Sequence, residues 1–130
     1  MNPLPKGNTL NSVTYGNGIF VAVGQLGTIM TSYDGLAWQI SPSGIDNNLS
    51  AAAFGNGMFA AIGNNGITLI SSDGVNCTPG ISGTHNDLYD VTFGTGVFVV
   101  VGGDKILTSP EGVEWTTITH ADTSFSVSYV

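Results

Sequence analysis

Arginine is absent from this 130-residue sequence, and Lys6 and Lys105 are its only permanently cationic side chains. Set against nine carboxylates, they leave a net charge of −7. Nucleic acid is thereby excluded as a partner, because its phosphates need cations that the chain does not carry. Anionic membrane surfaces are disfavoured on the same ground. Cys77 is the single cysteine, which rules out an intrachain disulfide and a multi-cysteine zinc site. Apolar runs stop at five residues, at 19–23, 58–62 and 97–101, whereas a membrane helix needs about 20. Residues 1–7 lack the apolar core of a signal peptide, so none is expected. Charged residues make up only 8% of the chain, against about 25% in ordinary domains. Gly, Asn, Ser and Thr take their place. A surface so thinly charged is weakly protected against association, which points to cover by an assembly.

What the sequence does have is repetition. Tyr15-Gly16-Asn17-Gly18-Ile19-Phe20 returns as Phe54-Gly55-Asn56-Gly57-Met58-Phe59 and as Phe93-Gly94-Thr95-Gly96-Val97-Phe98, offset by 39 residues each time. A period of this length signals stacked supersecondary units that cannot bury their apolar faces alone. The reading is one repeat domain over 1–130, with units at about 8–46, 47–85 and 86–121. Residues 122–129 match 8–15 position for position, so 122–130 is expected to open a fourth unit with one strand.

Within the first unit, residues 10–15 carry a β-branched and aromatic strand signature. The Asn17-Gly18 pair supplies the positive φ angles of a tight hairpin. Residues 19–23 then form a continuously apolar strand, as expected of a sheet covered on both faces. Turns at 24–27 and 33–35 separate a third strand at 28–32 and a fourth at 38–41. The other units repeat this, with a weaker fourth strand near Cys77 and a turn shortened by one residue at 102–104. No helix is expected. Four antiparallel strands per 39 residues make one sheet of propeller-blade size.

The third turn carries a recurring pattern: Ser32-x-Asp34-Gly35-x-x-Trp38, Ser71-x-Asp73-Gly74-x-x-Cys77 and Ser109-x-Glu111-Gly112-x-x-Trp115. It resembles the Asp-box of bacterial-neuraminidase-type repeats, shortened by one residue between the carboxylate and the glycine. The resemblance implies an all-β, propeller-type fold. In physical terms the carboxylate accepts backbone N–H bonds in the turn, the glycine takes the positive φ, and the Trp anchors the hairpin in an apolar seam. One carboxylate per unit is too dispersed for a calcium or catalytic site. Neither a metal nor a cofactor is expected.

Asp-box repeats also occur in sialidases, which as a family hold the substrate carboxylate with an arginine cluster. Planar bidentate recognition of that kind is arginine chemistry, and the absence of arginine excludes it. The only glutamates, Glu111 and Glu114, lie in or beside one turn, so they are poorly placed as a glycosidase pair. No nucleophile elbow, phosphate loop or His-Glu-x-x-His motif is present. The chain therefore reads as a non-enzyme.

Three units cannot close a ring of four to eight blades, and an unclosed fan exposes blade faces and strand edges. Partners are expected: a homodimer closing a six-bladed ring, or other proteins of the same assembly. Segments similar to Gly-Asn-Gly-x-Phe are found in phage particle proteins and bacterial surface proteins. That resemblance implies a structural protein of a virion or extracellular surface, as a decoration or fibre-associated component. The alternative is a lectin-like glycan binder. In a propeller the second turns and the connections between units emerge on one side, and here they carry Gln25, Asp46, Asn47, Asn48, Asn64, Asn65, His85, Asn86, Asp87, Asp104 and Asp122. Such amides and carboxylates suit sugar hydroxyls. His85 and His120 read as loop histidines. Photosystem assembly factors with similar propellers are known for basic patches, which two lysines cannot build.

Overall fold

The computed structural model describes residues 9–41, 43–102 and 105–119. They form three four-stranded antiparallel sheets, one per repeat. The first blade contains β1 (Leu10–Gly16), β2 (Ile19–Gly24), β3 (Ile29–Ser32) and β4 (Gln39–Ser41). The second contains β5 (Leu49–Gly55), β6 (Met58–Gly63), β7 (Thr68–Ser71) and β8 (Thr78–Pro79). The third contains β9 (Asp90–Gly94), β10 (Val97–Gly102), β11 (Lys105–Ser109) and β12 (Thr116–Thr119). Strand order in every blade follows the chain, as in a simple meander. The expected strand at 122–130 lies outside the described residues.

The hairpin glycines act as the sequence requires. Asn17 and Gly18 have φ of 54° and 81°, Asn56 and Gly57 of 53° and 78°, and Thr95 and Gly96 of 48° and 85°. Two consecutive positive φ angles match the right-handed twist of the flanking strands. β1 and β5 also share a register shift, between Leu10 and Ser12 and between Leu49 and Ala51.

Two short 3-10 turns depart from the expectation of no helix. Residues Gln25–Gly27 and Asn64–Gly66 each form a single 3-10 turn, with Leu26 (φ 56°) and Asn65 (φ 57°) in left-handed conformation. The glycine that follows each is required by packing: a Cβ on Gly27 would fall 2.1 Å from the Ile45 carbonyl, and on Gly66 2.0 Å from that of Thr84. The connection leaving each blade presses on its second turn, and only bare backbone fits.

The core lies between blades. One cluster joins Ile19, Val21, Val23 and Ile29 of the first blade to Leu49, Phe59, Ala61 and Leu69 of the second. Another joins Ala51, Ala53, Ala60 and Ile62 of the second to Leu88, Val91, Phe98, Val100 and Leu107 of the third. The middle strand β6 is buried almost throughout because both its faces meet neighbours. Along the inner edge, β1 lies against β5 and β5 against β9. At both junctions the glycine ending one inner strand receives the aromatic ring of the next. A Cβ on Gly16 would fall 2.1 Å from Cγ of Phe54, and on Gly55 2.0 Å from Cγ of Phe93. Side chains at 16 and 55 are therefore forbidden by the seam itself.

Candidate functional site

Three surfaces compete for a role: the repeated turn, the loop side, and the two end faces of the fan. In the first turn, Ser32 Oγ accepts the N–H groups of Asp34 (3.3 Å) and Gly35 (2.7 Å) and donates to Asp34 Oδ1. That same Oδ1 accepts the N–H groups of Leu36 (2.8 Å) and Ala37 (3.0 Å). Ser71 and Asp73 repeat the set, and Asp73 Oδ2 gains a bond from the Asn76 amide at 2.9 Å. Backbone N–H donors hold both carboxyls below the usual carboxylate range, chiefly from Leu36 and Ala37 for Asp34 and from Asn76 and Val75 for Asp73. Their oxygens thus serve the turn. Trp38 and Trp115 donate from Nε1 to the carbonyls of Gly35 and Gly112 (3.1 and 3.2 Å), pinning the indole across its own turn.

The third turn is thinner. Gly112 donates to Ser109 Oγ at 2.8 Å, but among the described residues no N–H is bonded to the Glu111 carboxylate. In the second turn Cys77 takes the Trp slot, and burial raises its thiol pKa, helped by the nearby Asp73 charge. Gly74 and Gly112 also mark register between blades. A Cβ on Gly74 would meet Val21 and Thr31 of the first blade, and one on Gly112 would meet Ile70 of the second. Among the described residues no three His, Cys, Asp or Glu side chains converge on a metal position.

The loop side gathers the second turns and the connections, as the sequence indicates, and much of its polarity is used internally. Asn48 Oδ1 accepts the Leu26 N–H at 3.0 Å, and Asp87 Oδ1 accepts the Asn65 N–H at 3.0 Å. Asn47 donates to the Asn64 carbonyl at 3.2 Å, and Gln25 accepts the Thr9 N–H at 3.3 Å. Each connection thus caps the left-handed turn of the preceding unit. The side chains of Asp46, His85 and Asn86 stand exposed beside them. Asp104 and Asp122 lie outside the described residues.

The end faces are where equivalent residues differ most. Val13 and Tyr15 of β1 are 59% and 57% exposed, while their counterparts Ala52 and Phe54 pack into the seam between the first two blades. At the other end Val99, Val101 and Ile106 are half-buried, where their counterparts Ala60, Ile62 and Thr68 are 1%, 0% and 1% exposed. The sequence contains part of the signal for this asymmetry, a similar apolar periodicity in all three units; the structure adds that only the second has described blades on both sides.

No protein-family profile matches the chain, and no curated protein is significantly similar in sequence. Solved structures are similar in fold. A YCF48 bound to a D1 peptide superposes with a TM-score of 0.74 at 18% identity, over 90% of this chain and 44% of that one. YCF48 from Cyanidioschyzon merolae gives a TM-score of 0.73 at 20% identity, over 88% of this chain and 41% of that one. The chain spans under half the length of these proteins. Together with the sheet order, the likeness establishes three β-propeller blades. At such identity it establishes the fold alone.

Proposed function

We propose that the chain is a non-enzymatic protein-interaction module whose two end faces are covered by other polypeptide in a multi-copy assembly. The observation that carries this is the exposure of Val13 and Tyr15 at positions where the middle blade is covered. Blade faces made for stacking gain from any apolar surface that excludes water from them. The peptide held by a similar propeller in one YCF48 structure is a precedent for protein recognition on this fold. Two lysines leave the chain no basic patch, so contacts of apolar and neutral polar character carry the binding. Within this reading, the low charge suits a virion or cell-surface component. A glycan-binding role is the weaker reading, because Asn47, Asn48 and Asp87 already bond the turns beside them.

Cross-linking mass spectrometry on the assembly isolated with the chain tests the proposal. Links from the β1 and β10 faces to other polypeptide are expected. A chain that stays monomeric, with both faces freely labelled in its native setting, ends the reading. Turnover on a glycoside or ester panel would end its non-enzymatic part.

A further inference from the structure

We propose that Asn56, at the tip of the β5–β6 hairpin, is a modification site at which the folded chain loses ammonia and gains aspartate or isoaspartate. Three asparagines precede a glycine in this chain, Asn17, Asn56 and Asn65. In such a pair no side chain on the following residue shields its backbone nitrogen. That nitrogen bonds to the asparagine Cγ, the Cγ–Nδ2 bond breaks, and the amide leaves as ammonia with the nitrogen's proton. Water then opens the succinimide ring at either carbonyl, its oxygen completing the new carboxylate. Both products carry one further negative charge, and isoaspartate also routes the backbone through the side-chain methylene.

The fold separates the three pairs. The glycine nitrogen reaches Cγ only when its turn opens locally, so bonds and burial around each pair set the rate. Asn17 is exposed, but its Nδ2 donates to the Ser72 carbonyl of the second blade at 3.3 Å. Opening that hairpin must break this tie. Asn65 donates its N–H to Asp87 Oδ1 at 3.0 Å, and Gly66 is buried against the Thr84 carbonyl. Asn56 has neither restraint. It and Gly57 are both exposed, and its amide makes no hydrogen bond among the described residues. Thr95 stands at the same place in the third hairpin and has no amide to lose.

The consequence reaches the seam. Gly55 lies under the Phe93 ring with no room for a Cβ, and it pairs with Met58 across the hairpin. Isoaspartate at 56 inserts a backbone atom into the two-residue turn that sets this register. Chemistry at one exposed tip is thereby transmitted to the contact between the second and third blades.

Gly16-Asn17-Gly18 and Gly55-Asn56-Gly57 are the same tripeptide, so a difference between them in the folded chain belongs to the fold. The full chain is incubated in mildly alkaline buffer, folded or in urea, and each site is followed by peptide mapping that resolves aspartate from isoaspartate. Folded, Asn56 is expected to convert about threefold faster than Asn17, the effect of one exposed hydrogen bond, with Asn65 slower than both. In urea the rates at 17 and 56 are expected to converge. No conversion at 56, Asn17 or Asn65 keeping pace with it, or a difference that survives in urea overturns the proposal. The fraction carrying isoaspartate at 56 is expected to melt below Asn56→Asp, which has the charge without the extra backbone atom. Equal melting temperatures would overturn the link to the seam.

Discussion

Phe54 of the middle blade and Tyr15 of the first occupy one position of the repeat and make the same in-blade ring pair. Their centroids lie 4.7 Å from Phe59 and 4.6 Å from Phe20. What differs is the other side. Phe54 rests on Gly16 of a neighbouring blade, while Tyr15 is 57% exposed. The blade itself is therefore not the unit of stability. A four-stranded sheet with two apolar faces becomes a core only when stacked, as in other repeat architectures.

The largest test of that contrast removes the two rings. Phe54→Ala loses the in-blade pair and the seam contact together, for about 3 kcal/mol. Tyr15→Ala loses only the in-blade pair, about 1 kcal/mol. Denaturant melts of the two variants measure the difference. Equal losses would mean that the first blade is already covered in the isolated chain, and would remove the basis for the interaction surface.

A smaller contrast separates the middle turn from the third. Asp73 accepts two backbone N–H bonds and two side-chain bonds, and Glu111 accepts none among the described residues. Asp73→Ala is expected to lower Tm measurably and Glu111→Ala to leave it unchanged. The pH dependence has a definite sign. The carboxyls of Asp34 and Asp73 lie below their ordinary value of 3.8 when folded. Their contribution is present above that value and is lost as pH falls below it, when the unfolded chain binds protons first. Asp73→Asn should flatten the acid limb of a Tm-versus-pH curve. An unchanged limb would show that these bonds do not hold the turn.

How far the sequence alone reaches follows from the range of each interaction. The hairpins were legible because Asn17-Gly18 and Asn56-Gly57 encode their turn within two residues. The Ser-Asp turns were legible for the same reason: donors and acceptors lie within three positions of one another. The seams were not. That Gly16 holds the Phe54 ring is a relation between residues 38 positions apart, visible only as the unexplained recurrence of a glycine after each inner aromatic. Asn48 and Asp87 read as ligand candidates for a similar cause. Their partners are N–H groups of a previous unit's turn, and nothing local distinguishes such a cap from a free loop side chain. Leu26 at positive φ was hidden as well, because leucine carries no preference for that conformation.

The finest contrast lies in the hairpins themselves. Asn17 and Asn56 adopt φ of 54° and 53°, and Thr95 adopts 48° at the same position of the third blade. A β-branched residue there crowds its own backbone, whereas asparagine tolerates the left-handed region. Thr95 recovers part of the cost by donating its hydroxyl to the Gly94 carbonyl at 2.8 Å. Thr95→Asn is therefore expected to stabilise the chain by about 0.5 kcal/mol, and Asn56→Thr to destabilise it by a similar amount, both read from thermal melts. Thr95→Val keeps the branch and removes the hydroxyl, so it should fall below the parent. If Thr95→Val matches the parent instead, the hydroxyl offsets nothing, and the strain is absorbed by the hairpin rather than by the bond to Gly94.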